Sequence, residues 1–194
     1  MAGTLDGKRV AIIATNGVEQ AELEQPRQAV DRAGARSTLI SLSTDPIQAM
    51  NSDINKGDTF TPDTAISDVS ADDFDALVLP GGTINADQLR QSGDVVAFVQ
   101  AIVAAGKPVG AICHAPWTLV EADLVRGRTL TSYPSLRTDI RNAGGEAVDE
   151  EVVVDRGLVT SRTPDDLDAF CSTIVEEFAE GAHDVRGAGA TAQA

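Results

Sequence analysis

The stretch Lys107-Pro108-Val109-Gly110-Ala111-Ile112-Cys113-His114-Ala115-Pro116-Trp117-Thr118-Leu119-Val120-Glu121-Ala122 decides the architecture. Residues 107–112 form a short apolar run of the kind that lies buried on both faces of a parallel sheet. Ala115 to Ala122 reads as a helix, with Pro116 tolerated in the first turn because an N–H there has no intrahelical partner. Cys113 therefore falls on a strand-to-helix turn. Such a turn presents a nucleophile on a strained backbone and needs small residues two positions to either side, which Ala111 and Ala115 supply.

The same alternation extends in both directions from this unit. Val10 to Ala14 is a continuous apolar strand, residues 20–33 read as a helix ending at Gly34, and Ser37 to Leu42 form a second strand. Thr44 to Thr64, carrying Pro46, Gly57 and Pro62, is expected to be a hairpin or flap. Asp75 to Leu79 restore the strand pattern until Pro80-Gly81-Gly82 stops it. Ser92 is positioned to cap a helix whose Val95, Phe98, Val99, Ile102 and Val103 share one face, with Gly106 at its end. Val152 to Asp155 and Leu158 to Ser161 flank the turn Arg156-Gly157. Thr163-Pro164-Asp165-Asp166 then starts a last helix with a stripe of Leu167, Phe170, Cys171, Ile174, Val175 and Phe178.

Strands and helices joined by short connections imply an α/β chain: a flavodoxin-like, doubly wound parallel sheet with helices on both faces and strand order 2-1-3-4-5. Ligands of such folds bind beyond the strand C-termini, here between strands one and three. That crevice gathers Asn16-Gly17-Val18-Glu19, Pro80-Gly81-Gly82-Thr83 and Ile112-Cys113-His114.

The length of 194 residues suits one domain, expected over residues 1–180, followed by a loose Gly/Ala-rich tail over 181–194. A hydrophobic content of 42% with 23% charged residues excludes a disordered chain. The net charge of −15, without a Lys/Arg cluster, repels a phosphate backbone, so no nucleic-acid partner is expected. Met1 to Arg9 lack an apolar signal segment, and no stretch approaches the roughly 18 apolar residues of a membrane span, so no membrane partner and a cytoplasmic location are expected.

With two cysteines and two histidines in the chain, the chemistry has few candidates. Cys113 reads as a nucleophile whose pKa is lowered by the helix start behind it, and His114 as its base, since His183 lies in the tail. Cys171 sits on the core stripe of the last helix and reads as packing. The N–H of Gly81 or Gly82, with that of His114, forms either an oxyanion hole or a plain turn. Glu19 is near enough to the end of the first strand for its carboxyl to meet the thiol. Protonated, it would donate to a thiolate or sulfinate; ionised, it would raise the thiol pKa. Glu22 reads as a favourable acid in a first helical turn. These residues supply no metal ligand set, and no cofactor is implied.

The chain resembles the PfpI branch of the ThiJ/PfpI superfamily, described as intracellular peptidases or general stress proteins. The resemblance runs from about Lys8 to Phe178. It rests on Val18-Glu19-Gln20-Ala21-Glu22-Leu23, Phe74-Asp75-Ala76-Leu77-Val78-Leu79-Pro80-Gly81-Gly82, Gly106-Lys107-Pro108-Val109 and Ala111-Ile112-Cys113-His114-Ala115-Pro116. Arg126-Gly127-Arg128, Thr131-Ser132-Tyr133-Pro134 and Thr160-Ser161-Arg162-Thr163-Pro164-Asp165-Asp166-Leu167 add to it.

The resemblance implies a fold related to class I glutamine amidotransferases, Cys113 as nucleophile, His114 as its partner, Glu19 hydrogen-bonding the sulfur and Tyr133 lining the pocket. It also implies self-association as a dimer or hexamer, in which a neighbouring subunit supplies the acid that orients the histidine. The aligned acid is Asp87, in a loop one residue longer than the one that carries a Glu in the archaeal peptidases. Two functions follow as expectations. One is a Cys113-dependent enzyme acting on a small carbonyl compound or peptide, as a glutathione-independent glyoxalase, a deglycase, or a peptidase or amidase. The alternative is a non-enzymatic redox-sensing stress protein or holdase that uses oxidation of Cys113.

Overall fold

The computed structural model describes residues 3–182. In chain order the elements are β1 (Arg9–Ile13), α1 (Gln20–Arg32), β2 (Arg36–Ser41), β3 (Ile47–Asn51), β4 (Asn55–Phe60), β5 (Thr64–Ala65), β6 (Ala76–Leu79), α2 (Thr83–Arg90), α3 (Gly93–Ala104) and β7 (Val109–Ile112). They continue as α4 (Pro116–Glu121), β8 (Thr129–Leu130), α5 (Arg137–Asn142), β9 (Glu146–Ala147), β10 (Val152–Asp155), β11 (Leu158–Ser161) and α6 (Leu167–Glu180).

Seven strands form one sheet in the order β10-β11-β7-β6-β1-β2-β5, parallel throughout except for the β10–β11 hairpin. Its centre, β2-β1-β6-β7-β11, is the flavodoxin-like order expected from the alternation, with a short edge strand added at each side. The stretch expected as a hairpin or flap is the β3–β4 hairpin. It reaches back to the main sheet's C-terminal end, where Met50 N–H donates to the Val18 carbonyl.

Period-two alternation divides the core between the two faces of the sheet. Ala11, Ile13, Leu77 and Leu79 pack with Val95, Phe98, Val99 and Ile102 of α3 on one face. Val10, Ile12, Ala76 and Val78 pack with Leu23 and Val30 of α1 and with Phe170, Ile174 and Phe178 of α6 on the other. Each fully buried Leu, Ile or Phe contributes about 1.5–3 kcal/mol of transfer free energy. The end of α6 at Glu180 leaves His183 and most of the expected tail outside the described residues. Among those described, no helix is long and apolar enough to cross a membrane.

Candidate active site

Cys113 follows directly on β7, and its N–H donates to the Ser161 carbonyl of the neighbouring strand at 3.0 Å. The backbone then turns sharply, with Cys113 in the left-handed region at φ +63°, so α4 departs at once behind it. For a side chain with a Cβ this conformation costs about 1–3 kcal/mol and persists only when its surroundings enforce it. Here the Cys113 carbonyl accepts from Tyr133 N–H at 2.9 Å and its amide continues the sheet ladder, so both sides of the turn are tied.

The sulfur is 3.1 Å from Nδ1 of His114. Tyr133 stacks on the His114 ring at a centroid distance of 4.4 Å, and Trp117 lies 5.5 Å away on a tilted plane. Trp117 is itself held by a hydrogen bond from Nε1 to Asp139 at 2.8 Å. Burial holds the imidazole below its usual pKa, with the Asp53 charge acting in the opposite direction. Its other nitrogen, Nε2, lies 3.3 Å from the Thr83 hydroxyl and 3.4 Å from the Ser135 hydroxyl.

The carboxyl at the sulfur belongs to Glu22, which corrects the expectation for Glu19. Glu22 is fully buried and accepts from Gly81 N–H at 2.9 Å through Oε2. The Cys113 thiol interacts with the carboxyl, and Oε1 has no other hydrogen-bond partner. Burial, and next the charge of Glu19, push this carboxyl up to about 8, while the contact with Cys113 acts against the rise. Glu19 instead occupies the N-cap of α1 and turns its carboxylate toward the β3–β4 hairpin, accepting from the N–H groups of Ser52 at 3.0 Å and Asp53 at 3.1 Å. Glu19 and Glu22 are three residues apart and share the inward face of α1, but Glu19 stands at the N-cap, where the Ser52 and Asp53 N–H groups engage its carboxylate, while Glu22, one turn on, lies against Gly81.

Two further expectations change. Gly81 N–H is taken by Glu22, so the free donors facing the sulfur are the amides of Gly82 and His114. The helix start does not dominate the thiol, because burial outweighs the amides that face it. Burial, followed by the charge Glu22 carries when ionised, pushes the Cys113 thiol up; the Gly82 and His114 amides pull the other way. The glycines themselves are required. Gly82 adopts φ +92°, and a Cβ at Gly81 would collide with the Glu22 carboxyl and stand 2.6 Å from the Cys113 Cβ. Asn85, fully buried, locks this turn by donating to the Pro80 and Gly81 carbonyls at 3.0 Å each while accepting from Thr15 N–H.

Asp87 is exposed on α2, where its carboxylate accepts from Gln91 at 3.0 Å, and within the chain the His114 ring has Thr83 and Ser135 beside it. Cys171 is half-buried against the α1 and α6 side of the core. Glu19, Glu22, Asp53, Gly82, Cys113 and Tyr133 line a cavity of about 220 Å³ at the C-terminal end of the sheet. Cys113, His114, Gly82 and Tyr133 come together at this end of the sheet with Thr83, which the crevice reading included; Glu19 lines the cavity without reaching the sulfur, and Glu22, Asp53, Asn85, Trp117 and Ser135 were not foreseen. The buried stripe of α1 was a signal for Glu22. For Asp53 and Ser135, which come from a hairpin tip and a turn, there was none. Among the described residues no group of three or more His, Cys, Asp or Glu side chains is arranged to hold a metal ion.

A flavodoxin-like sheet bearing a cysteine on a strained strand-to-helix turn, a buried carboxyl behind it and a histidine beside it defines a class of α/β proteins built around a cysteine turn. Residues 8–177 match the family model described as DJ-1/PfpI, and the chain belongs to that family. It is 43% identical over 164 residues to a Bacillus subtilis protein named putative cysteine protease YraA, covering 84% of this chain and 94% of that one. The crystal structure of Drosophila melanogaster DJ-1beta superposes with a TM-score of 0.81 at 32% identity, covering 89% of this chain and 90% of that one. An Anabaena variabilis protein with DJ-1/ThiJ/PfpI-like and ferritin-like domains gives a TM-score of 0.82 at 34% identity. The match covers 87% of this chain and 47% of that chain. The superfamily holds both cysteine-dependent enzymes and non-enzymatic redox or chaperone members.

Proposed function

We propose that the protein is an oxidation-responsive stress protein whose signal is conversion of the Cys113 thiol to a sulfinate. The observation that carries this reading is the set of donors around the sulfur: two backbone amides, and a buried Glu22 carboxyl that keeps its proton up to about pH 8. Such donors complement an anion better than a neutral thiol. A buried thiol resists ionisation, whereas a sulfinic acid is ionised throughout the physiological range. Oxidation therefore creates the charge that the surrounding groups are arranged to meet.

In the first step Nδ1 of His114 takes the thiol proton and the sulfur attacks a peroxide oxygen. The O–O bond breaks, an S–O bond forms, and the second oxygen leaves as water; the sulfur loses two electrons. A second equivalent repeats the exchange and gives the sulfinate. The unpartnered Oε1 of Glu22 is the oxygen whose proton would meet the new group. A cavity of about 220 Å³ suits a small neutral oxidant; it falls below the roughly 300–1,000 Å³ of drug-sized ligand sites.

Mass spectrometry after graded peroxide tests this. Two oxygen atoms are expected on Cys113 before any change at Cys171, and Glu22→Ala should carry the sulfur further, to the sulfonic state. Oxidation of Cys171 first, with Cys113 still reduced, would refute the reading.

A second reading, the carbonyl chemistry of the PfpI branch, is favoured by the 3.1 Å contact between the sulfur and Nδ1 and by the protease name of the Bacillus relative. Cys113 would add to the carbonyl, His114 would take and return the proton, and the Gly82 and His114 amides would hold the oxyanion. The cavity size favours a small dicarbonyl over a peptide. In this reading self-association as a dimer or hexamer would let Asp87 of a second copy approach the imidazole. Lactate formation from methylglyoxal, compared between wild type and Cys113→Ala, tests it.

A further inference from the structure

We infer that Asp53 is a positioning residue that sets the tautomer of His114, acting through the Thr83 hydroxyl within a single chain. The inference rests on Cys113 being the reactive centre, but its geometry stands independently of the chemistry done there. Asp53 Oδ1 accepts from Thr83 N–H at 2.8 Å, and Oδ2 accepts from the Thr83 hydroxyl at 3.0 Å. An ionised carboxylate only accepts, and a hydroxyl has one hydrogen to give. The Thr83 hydrogen is therefore committed to Asp53, and Oγ1 can meet His114 Nε2, 3.3 Å away, only as an acceptor.

That requirement places the ring hydrogen on Nε2. The lone pair is then on Nδ1, 3.1 Å from the sulfur, which is the form able to remove the thiol proton. In the opposite tautomer the Nε2 lone pair would face a lone pair of Thr83. Ser135, at 3.4 Å from Nε2, is compatible with the same assignment as a second acceptor.

Asp53 is held in place for this task. It stands at the tip of the β3–β4 hairpin, where Ser52 and Asp53 both take positive φ, at +55° and +62°. The Glu19 carboxylate clamps their two N–H groups, so the strained tip has a fixed partner on α1. Glu19 thus acts on the sulfur at a distance, through the hairpin, Asp53, Thr83 and His114.

The test is ¹⁵N NMR of histidine-labelled full-length protein at a pH where the imidazole is neutral, with His114→Gln used to assign the ring. Wild type should show the Nε2–H form. Asp53→Asn puts an amide where Oδ2 accepted, freeing the Thr83 hydrogen for Nε2, and should move His114 toward Nδ1–H. Thr83→Val should lose the wild-type preference, and Thr83→Ser should keep it. Cys113 alkylation by iodoacetamide should slow at least about tenfold in Asp53→Asn and Thr83→Val but not in Thr83→Ser. An Nδ1–H ring in wild type, or an unchanged Nε2–H ring in a folded Asp53→Asn or Thr83→Val protein, would overturn the inference. If Asp53→Asn fails to fold, Thr83→Val still decides. Because the NMR signal needs no turnover or oxidation, a failure of the Cys113 chemistry and a failure of the relay are told apart.

Discussion

Glu22→Gln should make the protein less sensitive to rising pH. The wild-type carboxyl is fully buried and pushed up to about 8 from 4.5, first by burial and then by the charge of Glu19. The folded chain therefore keeps a proton that the unfolded chain has already released. Below the unfolded value both states are protonated and stability is complete. Between roughly 4.5 and 8 stability falls by about 1.4 kcal/mol per pH unit, for a total on the order of 5 kcal/mol, and it levels off above that range. Glutamine preserves the shape and the acceptor for Gly81 N–H but cannot ionise. Urea unfolding of wild type and variant, at unit pH steps from about 5 to about 8, isolates the effect, because all other titrations are shared. The variant should gain on wild type steadily across that window. A stability difference that stays flat with pH would refute the claim that Glu22 is protonated in the folded protein.

Three more outcomes follow from the same geometry. Gly81→Ala pushes a methyl group between the Glu22 carboxyl and Cys113, and should cost about 1–3 kcal/mol by urea unfolding while slowing alkylation of Cys113. The carboxylates of Glu19 and Asp53 in the lining should make iodoacetate at least about tenfold slower than iodoacetamide at Cys113, relative to the same pair on a free thiol peptide. Phe170→Ala removes a fully buried ring between α6 and the sheet and should cost about 3–5 kcal/mol, measured by the shift in urea midpoint.

The sheet was legible because it is written in local signals. Val10 to Ala14, Ala76 to Leu79 and Val109 to Ile112 are continuous apolar runs, and between them Ser92, Gly34 and Gly106 mark where helices begin and end. Ser92 does cap α3, its hydroxyl accepting from Val95 N–H. The short pairs were not legible. β5 is two residues long, as are β8 and β9, and two residues carry no period. The cysteine turn was legible from small neighbours and an adjacent histidine. Which glutamate reaches the sulfur was not, because Glu19 and Glu22 straddle the start of α1 and a shift of one helical turn exchanges their roles. Thr83 fell within the crevice read from the sequence, but its pairing with Asp53 was out of reach for a different reason: 30 residues separate them, and the hairpin that joins them has no motif of its own.

The exchange of roles between the two glutamates bears on how the site responds to its surroundings. The Glu19 carboxylate at the cap of α1 is engaged by the Ser52 and Asp53 N–H groups and acts on the sulfur only from a distance. A carboxyl buried one turn later keeps its proton, so its effect on the sulfur depends on pH and on what the sulfur carries. Against a resting thiol it has only the contact with Cys113, and Oε1 has no other partner. Against an anionic sulfur it becomes a donor in a dry pocket, where a hydrogen bond to a charge is worth about 1.5–3 kcal/mol. On the oxidation reading, the same burial that pushes the Cys113 thiol up would strengthen the hold on its oxidised form, and a site built this way would separate two states of one atom more sharply than an exposed cysteine could.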